Sequence, residues 1–227
     1  MNNYIELGNR VPSQFFTTSG KGESDAGSKG LPYETGSYDA ALNDAGIQNA
    51  NIVKYTSVMA TGLERISREE GEKNIKWGQV VECIMAQANG KKGATITATV
   101  MVTEVKDKNG THLGGFACEY SGNGAKKQVE EALLESIEGM IERRNYGTFK
   151  KKMEMYKDNT TTKGFIVHPG KIFVFETLKV KEEHGTVLTS LCFTRYKYPI
   201  IHSKTKLKVG RPTHGGGRRT RKRRRRR

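Results

Sequence analysis

The fold is decided by residues 94–120, ATITATVMVTEVKDKNGTHLGGFACEY, which contain two strand-like runs joined by a short turn. The turn, Asp-Lys-Asn-Gly at residues 107–110, is a strong hairpin signal because Asn-Gly tolerates positive φ angles. In the first run, apolar residues recur at every second position between threonines: Ile96, Ala98, Val100 and Val102. This period of two predicts a sheet with one face on the core.

Helical patterns flank this hairpin. Residues 125–146 place apolar side chains at steps of three and four, which predicts a helix with one stripe on the sheet. Residues 171–198 predict a second hairpin. Ser37 and Gly46 predict the N-cap and the stop of another helix. Helices placed among hairpin-linked strands predict an α+β layered domain.

Other segments carry weaker signals. Residues 14–18 predict a short strand, and the Gly- and Ser-rich residues 19–29 predict a flexible loop. The charged residues 61–76 predict an irregular surface excursion, and residues 150–163 predict a polar connection.

Positive charge is concentrated at the C-terminus. The chain has a formal net charge of +15, and residues 202–227 hold thirteen Lys and Arg and no Asp or Glu, which leaves +2 for the rest. We therefore divide the chain into a loose N-terminal arm (residues 1–12), one domain (residues 13–200) and a disordered basic tail (residues 201–227).

The cysteines and the hydropathy predict the environment. Cys83, Cys118 and Cys192 are widely spaced in apolar runs, which predicts buried reduced thiols and a reducing compartment. Nothing in the sequence has the spacing of a metal site. There is no apolar run of the ~18 residues that a membrane span needs, and no signal-peptide core. We expect a cytoplasmic protein without a metal or a membrane partner.

Residues 46–60, GIQNANIVKYTSVMA, predict the chemistry. They predict a helix end, an apolar strand over residues 50–56, and a Thr56–Ser57 pair where the strand gives way to a turn. A serine held there under backbone strain can attack the preceding carbonyl, convert the amide to an ester and leave by β-elimination. The new N-terminus would be a pyruvoyl group, which can form a Schiff base with an amine. The alternative interpretation is an ordinary turn hydroxyl.

Two ordered blocks resemble a known family. Residues 37–59, SYDAALNDAGIQNANIVKYTSVM, resemble the processing region of pyruvoyl-dependent arginine decarboxylases, where an Asn precedes an apolar strand that ends in Ser-Ser or Thr-Ser. Residues 113–130, LGGFACEYSGNGAKKQVE, resemble that family's Gly-rich strand and the basic helix start after it. The resemblance covers residues 12–198. The chain departs from the family at Ala60 and Thr61, where a proline is common.

The resemblance implies an αββα sandwich of mostly antiparallel strands with flanking helices. It also implies a homotrimer of processed αβ units, or a dimer of trimers, with active sites between neighbours. The implied reaction converts L-arginine to agmatine and CO2 through a Schiff base on the pyruvoyl group, with neither pyridoxal phosphate nor a metal. Each turnover consumes a proton, so polyamine supply and acid tolerance are both possible roles.

The resemblance also implies roles for five residues. Ser57 becomes the pyruvoyl group, and Thr56 supplies the carbonyl that is attacked, so the chain divides between residues 56 and 57 into β and α chains. Asn51 assists this cleavage, Glu119 returns a proton to carbon, and Asp39 binds the guanidinium group. Three of these residues also have a structural interpretation. Asn51 can be a loop residue, Glu119 a solvated residue at a strand end, and Asp39 an acidic residue that the helix dipole favours.

A carboxyl group that delivers a proton near neutrality needs a raised pKa. The residues beside Glu119 are largely apolar, and they predict a dry setting that would raise its pKa: Phe116, Cys118 and Tyr120.

The basic tail predicts polyanion binding. Three glycines precede a run of nine cationic residues, Arg218, Arg219, Arg221, Lys222, Arg223, Arg224, Arg225, Arg226 and Arg227. Such a run binds nucleic acid without sequence preference, or acts as a nuclear-import signal; alternatively it only aids solubility. The alternative function is therefore a non-catalytic, decarboxylase-like protein that binds nucleic acid through this tail.

Overall fold

The computed structural model describes residues 8–25 and 34–199. These residues form ten strands and three helices. The strands are β1 (Val11–Ser24), β2 (Asn51–Lys54), β3 (Val58–Met59), β4 (Glu64–Arg65), β5 (Val80–Lys91), β6 (Thr95–Lys106), β7 (His112–Gly122), β8 (Asn159–Thr160), β9 (Ile166–Lys179) and β10 (His184–Lys197). The helices are α1 (Glu34–Asp44), α2 (Arg68–Asn74) and α3 (Lys126–Arg143).

The strands build two five-stranded sheets. The first sheet has the order β2-β5-β10-β1-β4, and the second has the order β3-β7-β6-β9-β8. The long strands pair antiparallel, whereas the short strands β2 and β4 run parallel to β5 and β1. β3 is therefore an edge strand, with β7 as its neighbour in the second sheet.

Three apolar clusters hold the layers together. The central cluster lies between the sheets and joins Leu191 of the first sheet to Val100 of the second. α1 and α2 pack on the outer face of the first sheet, where Phe16 is fully buried. α3 covers the outer face of the second sheet with Ile137. The order helix, sheet, sheet, helix confirms the predicted α+β class and the αββα sandwich.

The hairpin over residues 94–120 is confirmed as β6 and β7. Asp107 Oδ1 accepts hydrogen bonds from the amides of Asn109 and Thr111, both at 2.8 Å, and Gly110 has φ +83°. β6 is buried on both faces, because Thr99 and Thr103 on its second face lie towards α3. The predicted single core face was therefore incomplete: the central strand of a covered sheet has no solvent side.

The predicted N-cap at Ser37 is wrong. α1 begins by Glu34, and Ser37 lies inside it, fully buried, with its hydroxyl 2.8 Å from Thr186 Oγ1 of β10. Ser37 thus faces the sheet. The helix end was predicted correctly, since α1 stops at Asp44 and Gly46 has φ +72°.

Two segments predicted as irregular are regular in part, and residues 26–29 of the predicted loop lie outside the described residues. Residues 19–24 continue β1, which pairs with β10 as far as Ser24. Residues 61–76 contain β4 and α2, whose N-cap Ser67 accepts a hydrogen bond from the amide of Glu70 at 3.1 Å. The segment is highly charged because only one side of this short helix is buried, through Gly71 against Phe16.

The chain divides into two compact units. Residues 10–197 form the sandwich, and the described residues of the other unit are Gly8, Asn9, Tyr198 and Pro199. β1 begins at Val11, so the last two residues of the predicted arm belong to the sheet. Residues 1–7 and the basic tail lie outside the described residues. Within the described ranges, none of the helices could cross a membrane.

Candidate active site

Ser57 lies where the chain crosses from the first sheet to the second. Before it, the amide of Tyr55 donates to the Cys83 carbonyl of β5 at 2.7 Å. After it, the amide of Ala117 in β7 donates to the Ser57 carbonyl at 2.8 Å, and Val58 pairs with β7. The peptide bond between residues 56 and 57 therefore lies outside both β-ladders, with a strand anchored on each side.

The side chain of Ser57 lies beside the carboxylate of Glu119, close enough to lower its pKa. Glu119 stands two residues after Ala117 on β7, and alternate residues of a strand share a face. Ser121 continues this face, and its hydroxyl accepts a hydrogen bond at 3.2 Å from the Gln87 amide of the first sheet. Ser57 and Glu119 thus meet at the open edge between the two sheets.

The pKa of Glu119 is raised above its ordinary value, chiefly because protein atoms around the carboxyl group displace water. The side chain of Ser57 and the positive charge of Lys54 act in the opposite direction. The side chain of Glu119 is nevertheless exposed to solvent in the single chain. The net shift lets this carboxyl group hold a proton closer to neutrality than an ordinary glutamate does.

The source of this shift differs from the predicted one. Phe116 and Cys118 are buried beneath α3, on the opposite face of β7 from Glu119, and Tyr120 packs against the same cluster. The period of two in a strand forces this separation. The surroundings of Glu119 come instead from the crossing segment and from the first sheet.

Lys54 is a residue of this site that the sequence analysis missed. It ends β2, its Nζ donates to Gln87 Oε1 at 3.3 Å, and its charge acts on both Glu119 and Cys83. A single lysine in an otherwise apolar strand, three residues before Ser57, was the available signal.

All three cysteines are buried and free, as predicted. Burial raises the pKa of Cys118 and of Cys192 to about 12, and burial also raises the pKa of Cys83. Thiols in this state are poor nucleophiles at neutral pH. We therefore assign them to the core of the fold.

Asp39 and Asn51 lie apart from this pair in the single chain. Asp39 is exposed on α1, which covers the first sheet. Asn51 begins β2, and its side-chain amide donates to the Gly78 carbonyl at 2.9 Å. Among the described residues, no hydrogen bond or ion pair joins either side chain to Ser57 or Glu119.

A cavity of about 420 Å³ opens further along β3. Met59, Leu63 and Ile172 contribute apolar walls, and neither Ser57 nor Glu119 lines it. In the part of the chain that the structure describes, no group of three His, Cys, Asp or Glu residues could hold a metal ion.

Comparison with known proteins identifies the family of this chain. The family profile described as pyruvoyl-dependent arginine decarboxylase matches residues 14–198. The chain belongs to this family. It is 32% identical over 201 residues to the pyruvoyl-dependent arginine decarboxylase AaxB of Chlamydia abortus, covering 85% of this chain and 96% of that protein.

Two further relatives, one less similar and one matched over a shorter stretch, are also named pyruvoyl-dependent arginine decarboxylases. Pyruvoyl-dependent arginine decarboxylase 2 of Archaeoglobus fulgidus is 29% identical over 164 residues, which are 69% of this chain and 98% of that protein. AaxB of Chlamydia trachomatis serovar L2 is 43% identical over 125 residues, which are 51% of this chain and 62% of that protein. In the structure, the two blocks that resemble the family lie side by side, because β3 pairs with β7.

Proposed function

We propose that this protein cleaves itself between Thr56 and Ser57 and then converts L-arginine to agmatine and CO2. The observation that carries the proposal is the position of Ser57 beside Glu119, at a peptide bond that lies outside both ladders. The family name and the names of the relatives supply the substrate and the reaction type. A pyruvoyl group on residue 57 would supply the carbonyl that takes up the α-amino group of arginine as a Schiff base.

The chain's own residues then have separate tasks. Glu119 holds the proton that returns to the α-carbon after CO2 leaves, because its raised pKa lets it keep that proton to a higher pH than an ordinary glutamate does. The exposed carboxylate of Asp39 accepts paired hydrogen bonds from the planar guanidinium group. Each turnover consumes one proton.

We further propose that the complete site forms between neighbouring chains of a homotrimer, or of a dimer of trimers. Within one chain, Asp39 lies on the helix layer of the first sheet, and Asn51 stands at the far end of β2, six residues before Ser57. Both side chains could serve a Ser57–Glu119 pair if they came from a neighbouring chain. A substitution at Asp39 and one at Ser57 in different chains should then complement each other in mixed oligomers.

Mass spectrometry under denaturing conditions tests self-cleavage directly. Wild-type protein should give fragments of 56 and 171 residues, and Ser57→Ala should give only the intact chain. Ser121→Ala, which removes another hydroxyl at the same sheet edge, should cleave like the wild type. CO2 release should then be measured with arginine, lysine, ornithine and histidine. An intact wild-type chain, or a preference for another amino acid, would contradict the proposal.

A second candidate function is polyanion binding by the tail, and it can coexist with the first. The last ten residues hold eight Arg and one Lys with no aromatic residue among them, which favours phosphate contacts over base stacking. Deleting residues 218–227 should abolish retention on DNA and flatten its salt dependence, while cleavage and CO2 release persist. Unchanged retention at low salt would eliminate this function.

A further inference from the structure

The carbonyl at the proposed cleavage point has a hydrogen-bond donor of its own. The amide nitrogen of Val58 lies 3.1 Å from the carbonyl oxygen of Thr56, with Ser57 between them. A hydrogen bond that spans two residues defines a γ-turn. The carbonyl that Ser57 would attack is thus already polarised by the N–H of the peptide group that follows it.

This γ-turn is of the inverse, relaxed type. Ser57 is not among the described residues with positive φ, so it does not adopt the strained, left-handed form. The turn is therefore not of the classic γ-turn type. The turn instead supplies orientation, since its two ends are fixed to different sheets, through Cys83 before it and Ala117 after it.

The pairing of β3 explains why the Val58 amide is available. Ser57 accepts a ladder hydrogen bond from Ala117, and Val58 is paired with Phe116, one residue further. In an antiparallel pair, hydrogen-bonded and non-hydrogen-bonded positions alternate. Val58 therefore occupies a non-hydrogen-bonded position, and its amide points away from β7, at the free edge of the sheet.

We propose that the backbone amide of Val58 is the oxyanion donor for self-cleavage. This inference rests on the proposed function. As the bond from Ser57 Oγ to the Thr56 carbonyl carbon forms, the hydroxyl proton passes to Glu119, and the carbonyl electron pair moves onto the Thr56 oxygen. The Val58 N–H then donates to an anion instead of a neutral carbonyl, and such bonds are roughly twice as strong.

The remaining steps need no reagent other than water. Collapse of the oxyanion breaks the C–N bond, and the Ser57 nitrogen takes a proton, which leaves an ester. Loss of the Ser57 α-proton then breaks the Cβ–Oγ bond and releases the Thr56 carboxylate. Water hydrolyses the resulting enamine to the keto group and ammonia. The Val58 amide loses its acceptor only when Thr56 departs.

Asn51 is an alternative donor, but its side chain is engaged elsewhere in its own chain. Its amide donates to the Gly78 carbonyl, at the end of β2 that lies away from Ser57. The extended strand from Asn51 to Lys54 already spans about 10 Å, and Ser57 lies three residues beyond Lys54. The Val58 amide, in contrast, is already within hydrogen-bond distance of the reacting oxygen.

The test replaces a single N–H by oxygen. The α-hydroxy acid analogue of valine, incorporated at position 58 by nonsense suppression in the full chain, converts this amide to an ester. The same change at Ala60, which lies outside β3, is the control. Cleavage is followed by denaturing mass spectrometry, and folding by circular dichroism and thermal melting. We expect cleavage about 100-fold slower at position 58, as for other single oxyanion donors, and unchanged at position 60.

The outcomes separate this inference from the proposed function. If the wild type never yields the 56-residue fragment, self-cleavage itself fails. If the wild type cleaves and the position 58 ester cleaves equally fast, the assignment of Val58 is wrong. Hydrolysis of the new ester breaks the chain one residue later, so its fragments differ in mass. Should the ester variant not fold, Val58→Pro also removes the N–H, and proline is tolerated at a free strand edge.

Discussion

The seating of α1 on β1 allows a quantitative test of how Asp39 is positioned. Gly20 and Gly22 lie beneath the helix, with no side chain between the two backbones. A Cβ atom at Gly22 would stand 2.2 Å from the Ser37 carbonyl oxygen and 2.4 Å from the Ala41 nitrogen. These atoms belong to the helix backbone and cannot rotate away. Gly22→Ala should therefore push α1 outwards by about 1 Å, the distance to ordinary van der Waals contact.

The expected cost follows from two opposing effects. Overpacking of a rigid contact costs about 1–3 kcal/mol. Replacing glycine by alanine also restricts the unfolded chain, which returns about 0.4–1 kcal/mol. The steric effect is larger, because the overlap at Gly22 exceeds 1 Å against backbone atoms. We expect a net loss of about 2 kcal/mol in the free energy of unfolding, or roughly 4–8 °C in Tm for a domain of this size.

Thermal and urea unfolding of Gly22→Ala would measure this loss, with Gly36→Ala as the matched control. At Gly36, in the same helix, the added Cβ meets only the Ser24 side chain and no backbone atom, and alanine favours the helix. The shifted helix should also raise KM for arginine through Asp39, with self-cleavage unaffected. A Gly22→Ala protein as stable as the wild type would refute this account of how α1 packs on β1. Equal destabilisation by Gly22→Ala and Gly36→Ala would refute it too.

Three further predictions follow from the site. Lys54→Met removes a charge that lowers the pKa of Glu119, so the loss of CO2 release with rising pH should move to higher pH, whereas Lys54→Arg should leave it in place; identical profiles would contradict this role. Because burial raises the pKa of Cys118 and Cys192 to about 12, iodoacetamide at pH 8 should label these thiols only after denaturation; rapid labelling of the folded protein would show that the core is open. The fragments of 56 and 171 residues should co-elute under native conditions and separate only in denaturant, so native separation would contradict the pairing described here.

Hydrophobic periodicity was enough to predict the centre of the sandwich. β6, β7 and α3 were all found from alternation, the Asn-Gly turn and three- to four-residue steps. These elements are long, and each is dominated by one apolar face. The layer order came instead from the family resemblance, because periodicity within one strand cannot say which sheet packs against which helix.

The errors lie where tertiary packing decides the local structure. Residues 19–24 look like a loop because of their glycines, yet Gly20 and Gly22 are there so that α1 can approach β1. Lys54 and the Val58 amide gave little sequence signal, since one is a lone charge and the other is a backbone group. Their importance arises only when β2 and β3, which are edge strands of different sheets, bring them close to Ser57 and Glu119.

The position of the proposed cut follows from the way the chain changes sheets. Tyr55 is the last residue bound to the first sheet, through Cys83, and Ser57 is the first residue bound to the second, through Ala117. Cleavage between them breaks no ladder hydrogen bond. The piece before the cut also keeps the whole pairing of β1 with β10. The Ser57 carbonyl stays bound to Ala117, two residues from Glu119, so the new keto group would remain beside the acid that serves it. A fold that crosses between two sheets at an edge can therefore open its own backbone there and keep both its stability and its site.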